Sequence, residues 1–568
     1  MEPIKEKIPF NPLFHRDETY SLNGTWEFEI DKSFAIPDSF TKKIKVPFSV
    51  ETPESGINRK VTKDDYLHYH LILKYPKSAS LKKVRIHFDA VDQEAIVFYN
   101  QKEVLFHQGG YFPFYIDVDD PKSGDVLDLT IRDDSDSNIF AKGKQTNHPG
   151  GIFYTPTSGI WGNVYFEILS KTHLINDFLI IPNYDKKEVS IKVVSDIEPK
   201  ISLYFANELI ETKKGNEVIF PLKNNFHPWS NESPNLYDLK IETDEDTVFS
   251  YFGVKKFEVR ENAGFKLFYL NDKPIYLNGL LDQGYFSPRS GMTPLSYESL
   301  EKEIKFVKES AFNFLRKHIK VEGPRWYYLC DKYGIIVMQD FVSTFDKYDV
   351  FRLGVLPTIG LTKGKKNKTH FRKEKLSKEI FEKEIPLYVN HFKNSVSVCL
   401  WCLFNEGWGQ FDATRLTKKL KELDYTHKTI DSTSGWFDEG VGNIDSKHIY
   451  FRKPRMKNKK DRVLFLSEFG GYSYSFFDHT YAKKTFGYKR IESQEDLLSY
   501  YKKTYLEWLI PLITKEGLCG SVYTQLSDVE GEINGLLTYD RARTKIESDE
   551  LKKVNDAIYS CFDKRFKD

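Results

Sequence analysis

Residues 397–425 read "SVCLWCLFNEGWGQFDATRLTKKLKELDY", and the fold turns on how that stretch is parsed. The apolar run through Phe404 is short, as a buried strand is. Gly407 and Gly409 break it, and the segment from Phe411 to Tyr425 reads as a helix. Asn405, Glu406 and Trp408 sit at the junction, so a carboxylate, an amide and an indole leave the end of a hydrophobic strand.

The same alternation recurs beyond about residue 260. "LSYESLEKEIKFVKES" reads as a helix, and "NFLRKHI", "GIIVMQDF", "TIDSTSGW", "KHIYF", "RVLFLSEFGG" and "GLCGSVYTQLSD" read as short strands. Strands alternating with helices over roughly 300 residues predict a parallel sheet closed as a (β/α)8 barrel. Upstream the pattern is all strand. "GTWEFEID", "YLHYHLILKYP" and "KKVRIHFDAV" alternate with turns as a β jelly roll does. "VSIKVVSD", "ISLYFAN" and "NLYDLKIET" fit a small immunoglobulin-like sandwich. The expected division is residues 1–172, 173–258 and 259–568.

Composition removes several classes of function. The 568 residues are too many for one hydrophobic core. Lys+Arg 83 against Asp+Glu 82 leaves a formal charge of +1, so no global field draws the chain to nucleic acid or a membrane. Five cysteines make no disulfide framework. Cys399 and Cys402 lie three apart on a strand, on opposite faces, which argues against a metal or redox pair. The opening "MEPIKEKIPFNPLFHRDETY" holds no signal-peptide core, and no run approaches a membrane span; the expected location is the cytoplasm. Two basic runs, 363–375 and 452–462, read as solvated loops, with an anionic contact as the alternative. "GLTKGKK" has one residue too few between its glycines for a phosphate loop.

In such a barrel, chemistry gathers at the C-terminal ends of the strands. Glu406 ends "CLWCLFNE" and Glu468 ends "VLFLSE". Around them stand Asp282, Arg316, His318, Asp340, Asn405, Trp408, Trp436, His448, Tyr450, Gln525, Asp528 and Glu530, all at or just past the ends of apolar runs. Any one of these alone reads equally well as a strand-end ion pair. Together they place two glutamates among aromatic and hydrogen-bonding side chains, with no GxSxG, HExxH, zinc-spaced cluster or GxGxxG anywhere. Glycoside hydrolysis needs such a carboxylate pair, one to protonate the leaving oxygen and one to act as nucleophile or base. Asn405 is placed to reach a sugar 2-hydroxyl, and Trp408 and Trp436 to offer apolar faces. No metal or cofactor is expected; the expected ligand is a carbohydrate, and oligomeric state is left open.

"FNEGWGQFD" and "FLSEFGG" resemble the acid/base and nucleophile motifs of glycoside hydrolase family 2, which includes β-galactosidases, β-glucuronidases and β-mannosidases. "LNGTWEFEID" and "TPTSGIWGNVYFE" are similar to that family's N-terminal domain, and "FGVKKFEV" to the close of its immunoglobulin-like domain. The resemblance implies a retaining exo-β-glycosidase with Glu406 as acid/base, Glu468 as nucleophile and Tyr450 bonded to the nucleophile. A β-galactoside is the expected substrate, with a uronic-acid enzyme or a non-catalytic carbohydrate binder as alternatives. The Asn-x-Lys signature of the glucuronidases is missing; "INGLL" offers Asn534 and no lysine two places on. Lys317, Lys320 or the 452–462 loop would then read a uronic acid. The stretch 143–161, "GKQTNHPGGIFYTPTSGIW", is polar and turn-rich, and is expected to pack near the barrel while the N-terminal domains supply no catalytic carboxylate.

Overall fold

In the computed structural model, residues 4–286, 288–344 and 372–567 are described. Residues 363–371 of the first basic run, and the 360–366 phosphate-loop segment, lie outside them.

The N-terminal strands form two facing antiparallel sheets. One runs Thr19–Ser21, Val164–Leu169, Lys83–Phe88, Phe114–Asp119; the other places Gly24–Asp31, Tyr66–Ile72 and Val126–Arg132 side by side. Alternation explains the packing: Trp26, Phe28 and Ile30 point inward while Thr25 and Glu27 stay exposed. A second, smaller sandwich joins a three-stranded sheet around Glu188–Ser195 to a four-stranded sheet around Lys200–Phe205 and Tyr237–Glu242. Each sandwich has its own apolar core. Arg16 staples the two together, donating to Asp246 at 2.8 Å, Glu167 at 3.0 Å and the Ile175 carbonyl at 2.8 Å.

The rest of the chain closes into the expected barrel. Its strands are β1 (Leu277–Asp282), β2 (Phe314–Lys317), β3 (Ile336–Asp340), β4 (Val398–Cys402), β5 (Thr429–Asp431), β6 (Ile444–Ile449), β7 (Val463–Gly470) and β8 (Gly520–Thr524). β8 pairs in parallel with both β1 and β7, which joins the first strand to the last. Nearly every residue of these strands is buried, as expected when helices cover the outside of a parallel sheet.

Helix α1 (Tyr297–Glu309) starts at a Ser296 capping box and buries Leu300, Ile304 and Val307 on one face. Helix α2 (Pro324–Tyr333) links β2 to β3, and α3 (Lys375–His391) precedes β4. Helix α4 (Ala413–Leu423) follows the "NEGWG" turn and packs Leu416 and Leu420 inward; burying each contributes about 1.5–3 kcal/mol. Cys402, on β4, faces the barrel interior and accepts a bond from Arg316 at 3.4 Å. All five cysteines are free.

The 143–161 stretch packs against the barrel mouth. Lys142 and Gly143 donate from their backbones to the Ser343 carbonyl at 3.2 and 2.9 Å, and Thr155 donates to Glu530 at 2.9 Å. Among the described residues no helix is long and apolar enough to cross a membrane.

Candidate active site

The "NEGWG" junction is a backbone device. Glu406 has φ 51°, Gly407 77° and Gly409 63°, a left-handed run that turns the chain across the mouth of the barrel. At Gly409 a β-carbon would lie 1.9 Å from the Thr344 carbonyl oxygen, so only glycine fits. The Glu406 amide donates to the Ser434 carbonyl at 2.9 Å, which ties the turn to the segment after β5.

Arg316, on β2 and fully buried, organises the floor. Its guanidinium donates to Asp340 on β3 at 2.9 and 3.0 Å, to Glu468 Oε1 on β7 at 3.0 Å, and to Asn405 Oδ1 at 2.7 Å. A guanidinium only donates, so the Asn405 atom beside it is the carbonyl oxygen, leaving the amide nitrogen as the group turned elsewhere. Tyr450, just past β6, donates to Glu468 Oε2 at 2.6 Å. Its ring stacks on Tyr488 at 3.6 Å between centroids.

His448, on β6, bridges the two glutamates. Its Nδ1 lies 2.7 Å from Glu406 Oε1 and 3.5 Å from Glu468 Oε2. An oxygen of Glu406, an oxygen of Glu468 and a nitrogen of His448 all lie within 4.8 Å of one another. A cation could in principle share three such donors. Here Arg316 already occupies Glu468, and its positive charge opposes a second cation beside it.

Burial, followed by the Glu468 charge, pushes the Glu406 carboxyl well above the ordinary carboxylate range. Burial also raises Glu468, but the Arg316 charge and the Tyr450 hydrogen bond pull it back. His448 is driven well below its usual value by burial and then by Arg316, so its imidazole is neutral. The surroundings therefore favour the proton on Glu406 and the negative charge on Glu468.

The other sequence-chosen residues divide. His318 bonds Asp340 at 2.9 Å, and burial lowers its pKa to about 3. Trp436 meets the His448 ring edge-on at 5.9 Å. Trp408 is buried, with Phe153 of the 143–161 stretch stacked on it at 5.6 Å. Asp282 is bonded to Lys317 at 2.6 Å, Asp528 to Lys545 at 2.7 Å, and Gln525 to Gln283 and Asn534. Glu530 accepts the Thr155 amide. These four are taken up by internal partners.

Lys317 and Lys320 are not available to read a uronic acid. Lys317 is paired with Asp282 and Glu322, and Lys320 with Glu322 and the carbonyls of Gly284 and Met292. The 452–462 run is mainly exposed, and its Arg462 binds Asp438 at 2.6 Å. Sequence reading missed Ser434, whose hydroxyl lies 3.1 Å from His448 Nε2, and Thr524, 2.9 Å from the Tyr450 hydroxyl. Small hydroxyl residues at strand ends give no signal in one sequence. It also missed Lys144, which lies in the polar 143–161 stretch.

Residues 172–255 match the model "Glycosyl hydrolases family 2", and residues 258–462 match "Glycosyl hydrolases family 2, TIM barrel domain". The chain belongs to glycosyl hydrolase family 2. The barrel match takes in Glu406 and stops six residues before Glu468. A β-galactosidase of Streptococcus thermophilus is 26% identical over 322 residues, covering 52% of this family 2 chain and 29% of the relative. A putative β-glucuronidase of Formosa agariphila is 24% identical over 282 residues, 46% of this chain and 33% of the relative. The alignments thus span about a third or less of these relatives' length. Among solved structures, a β-D-glucuronidase of Dictyoglomus thermophilum superposes with TM-score 0.74 at 17% identity, covering 98% of each chain. A β-galacturonidase of Eisenbergiella tayi gives 0.69 at 16% identity, covering 97% and 99%. At those identities the superpositions speak for the fold, which is common to the whole chain.

Proposed function

We propose that this chain is a retaining exo-β-glycosidase, with Glu406 as acid/base and Glu468 as nucleophile. The observation that carries the reading is that an oxygen of Glu406 and an oxygen of Glu468 lie within 4.8 Å of each other. Retaining enzymes hold the pair about 5–5.5 Å apart, whereas inverting enzymes need about 6.5–9.5 Å to admit a water. Glu406 gives its proton to the glycosidic oxygen while Glu468 attacks the anomeric carbon. Glu406, now ionised, then deprotonates the water that releases the sugar. Asn405, its carbonyl oxygen fixed by Arg316, presents its amide nitrogen to the sugar 2-hydroxyl. Trp436 lines the same rim. The division at residues 1–172, 173–258 and 259–568 belongs to this reading, with the barrel carrying both glutamates.

The β-galactosidases among the sequence relatives make a terminal β-galactoside the first sugar to test. A β-hexuronide is the second reading, favoured by Lys144, a buried cation 6.0 Å from the Trp408 ring. A non-catalytic binder would have no use for a buried carboxylate pair bonded this fully. The test is covalent trapping: a 2-deoxy-2-fluoro glycoside with a good leaving group should label Glu468, identified by peptide mass spectrometry. Hydrolysis with inversion, or a label on another residue, overturns the assignment.

A further inference from the structure

Among the described residues, the buried basic side chains around the site are matched within the protein, with one exception. Arg316 is held by Asp340, Glu468 and Asn405; Lys317 and Lys320 by Asp282 and Glu322; Lys545 by Asp528. Lys144 is different. It is 5% exposed, and among the described residues its ammonium has no hydrogen-bond or ion-pair partner. It lies 5.4 Å from the centroid of the Tyr154 ring and 6.0 Å from that of Trp408, two positions after Glu406.

The backbone holds it there from both sides of the barrel mouth. Lys142 and Gly143 are bonded to the Ser343 carbonyl beyond β3, and at Gly143 a β-carbon would meet the Ile319 carbonyl at 2.8 Å. On the other side, Tyr154 bonds the Lys144 carbonyl through its amide and Glu532 through its hydroxyl. The neighbouring carboxylates already have donors of their own. Glu532 accepts from Tyr154 and Asn534, Glu530 from Thr155, and Asp340 from Arg316 and His318. The Lys144 charge pulls down the carboxyls of both Glu406 and Glu468, and its ammonium stands 6.0 Å from the ring of Trp408 in the same turn as Glu406.

A buried ammonium without a partner is unfavourable unless something compensates it. Aromatic faces compensate it in part; an anion arriving with the ligand would complete the site. We propose that Lys144 is a specificity residue of the sugar site, its ammonium receiving the carboxylate of a β-linked hexuronic acid. The inference rests on the β-glycosidase reading and names its substrate class. It also explains how a chain without the Asn-x-Lys signature could recognise a uronic acid: the cation comes from the N-terminal unit instead of the barrel.

The test compares p-nitrophenyl β-D-glucuronide and β-D-galacturonide with the matching glucoside and galactoside. In the wild-type chain the better uronide should exceed its neutral epimer match in kcat/KM. In Lys144→Met that uronide-to-hexoside ratio should fall about 10- to 100-fold, the loss expected for one charge-assisted hydrogen bond. Lys144→Arg should recover most of it. Calorimetric binding of the free hexuronic acid, measured beside a thermal melt of each variant, should be lost in Lys144→Met and regained in Lys144→Arg. Turnover of neutral hexosides with retention but of no uronide would leave the glycosidase reading standing and overturn this one. An unchanged ratio in folded Lys144→Met would also overturn it. If neither class of glycoside is turned over and nothing traps on Glu468, both readings fall.

Discussion

His448 Nδ1 lies 2.7 Å from Glu406 Oε1, while its Nε2 lies 3.2 Å from Arg316 Nη1. Arginine can only donate, so Nε2 of the neutral ring is the acceptor and Nδ1 carries the hydrogen given to Glu406. That bond favours the ionised form of Glu406, the form the proposed mechanism needs when water attacks the glycosyl-enzyme. His448→Ala should lower kcat about 10- to 100-fold. It should also raise the Glu406 pKa, so the alkaline limb of the pH–rate profile moves to higher pH. A profile that falls uniformly without shifting would reduce His448 to a packing role.

Tyr450→Phe acts on the other carboxylate. The hydroxyl donates to Glu468 Oε2 at 2.6 Å, which stabilises the charged form and lowers its pKa. Without it Glu468 holds its proton to higher pH. Since the proposed nucleophile must be ionised, the acid limb of kcat/KM should move upward in pH, with a loss at the optimum of about 10-fold or more. Unchanged acid limbs in matched profiles would contradict the role.

The sequence made most of this arrangement legible, for identifiable reasons. Apolar runs alternating with helices disclosed the barrel, and a polar residue ending such a run is conspicuous. Glu406, Glu468, Arg316, Asp340, His448 and Tyr450 stand out that way, and the structure brings them into one hydrogen-bonded set. The same rule also selected Asp282, Gln525 and Asp528, which sit at strand ends but are matched to partners of their own. Strand-end position carries no information about who the partner is. Lys144 lies beyond the rule's reach, because it depends on two distant segments meeting over Trp408.

Arg316→Met should be costly to the fold as well as to the chemistry. It leaves Asp340 and Glu468 buried with their main countercharge removed, and breaking a buried pair in this way costs about 3–5 kcal/mol. Denaturant titration should show a lowered midpoint with the slope preserved. A midpoint within error of wild type would mean the two carboxylates are neutral without the arginine.

A separate pH effect should arise in the N-terminal sandwich. The Ser158 hydroxyl lies 2.6 Å from both Glu51 Oε1 and Asp133 Oδ2. One hydroxyl hydrogen cannot serve both, so one carboxyl keeps a proton. Burial pushes Glu51 up to about 8. A folded-state pKa raised above the unfolded value contributes stability at low pH, and that contribution is lost as pH rises through about 8. Melting temperature should therefore decline between about pH 5 and pH 9. Glu51→Gln, which does not titrate, should flatten that decline; an equally steep fall in the variant would assign it elsewhere.

The two glutamates can be told apart by what each variant can still do. On the proposed roles, Glu468→Ala removes the nucleophile, so no glycosyl-enzyme should form and every substrate should fail alike. Glu406→Ala would on the same proposal remove proton donation, which matters most for a poor leaving group. An activated aryl glycoside departs with little help, so its first step should survive better than that of an alkyl glycoside. The intermediate on Glu468 then waits for water without a base. Azide needs no deprotonation and should speed its release. General acid–base assistance is worth about 10²–10⁴-fold, so these contrasts stand well clear of assay error. The burial that raises Glu406 and the Arg316 and Tyr450 bonds that restrain Glu468 predict which variant responds. Azide should rescue Glu406→Ala and give a β-configured glycosyl azide, read by NMR; the same β-azide from Glu468→Ala would reverse the two roles.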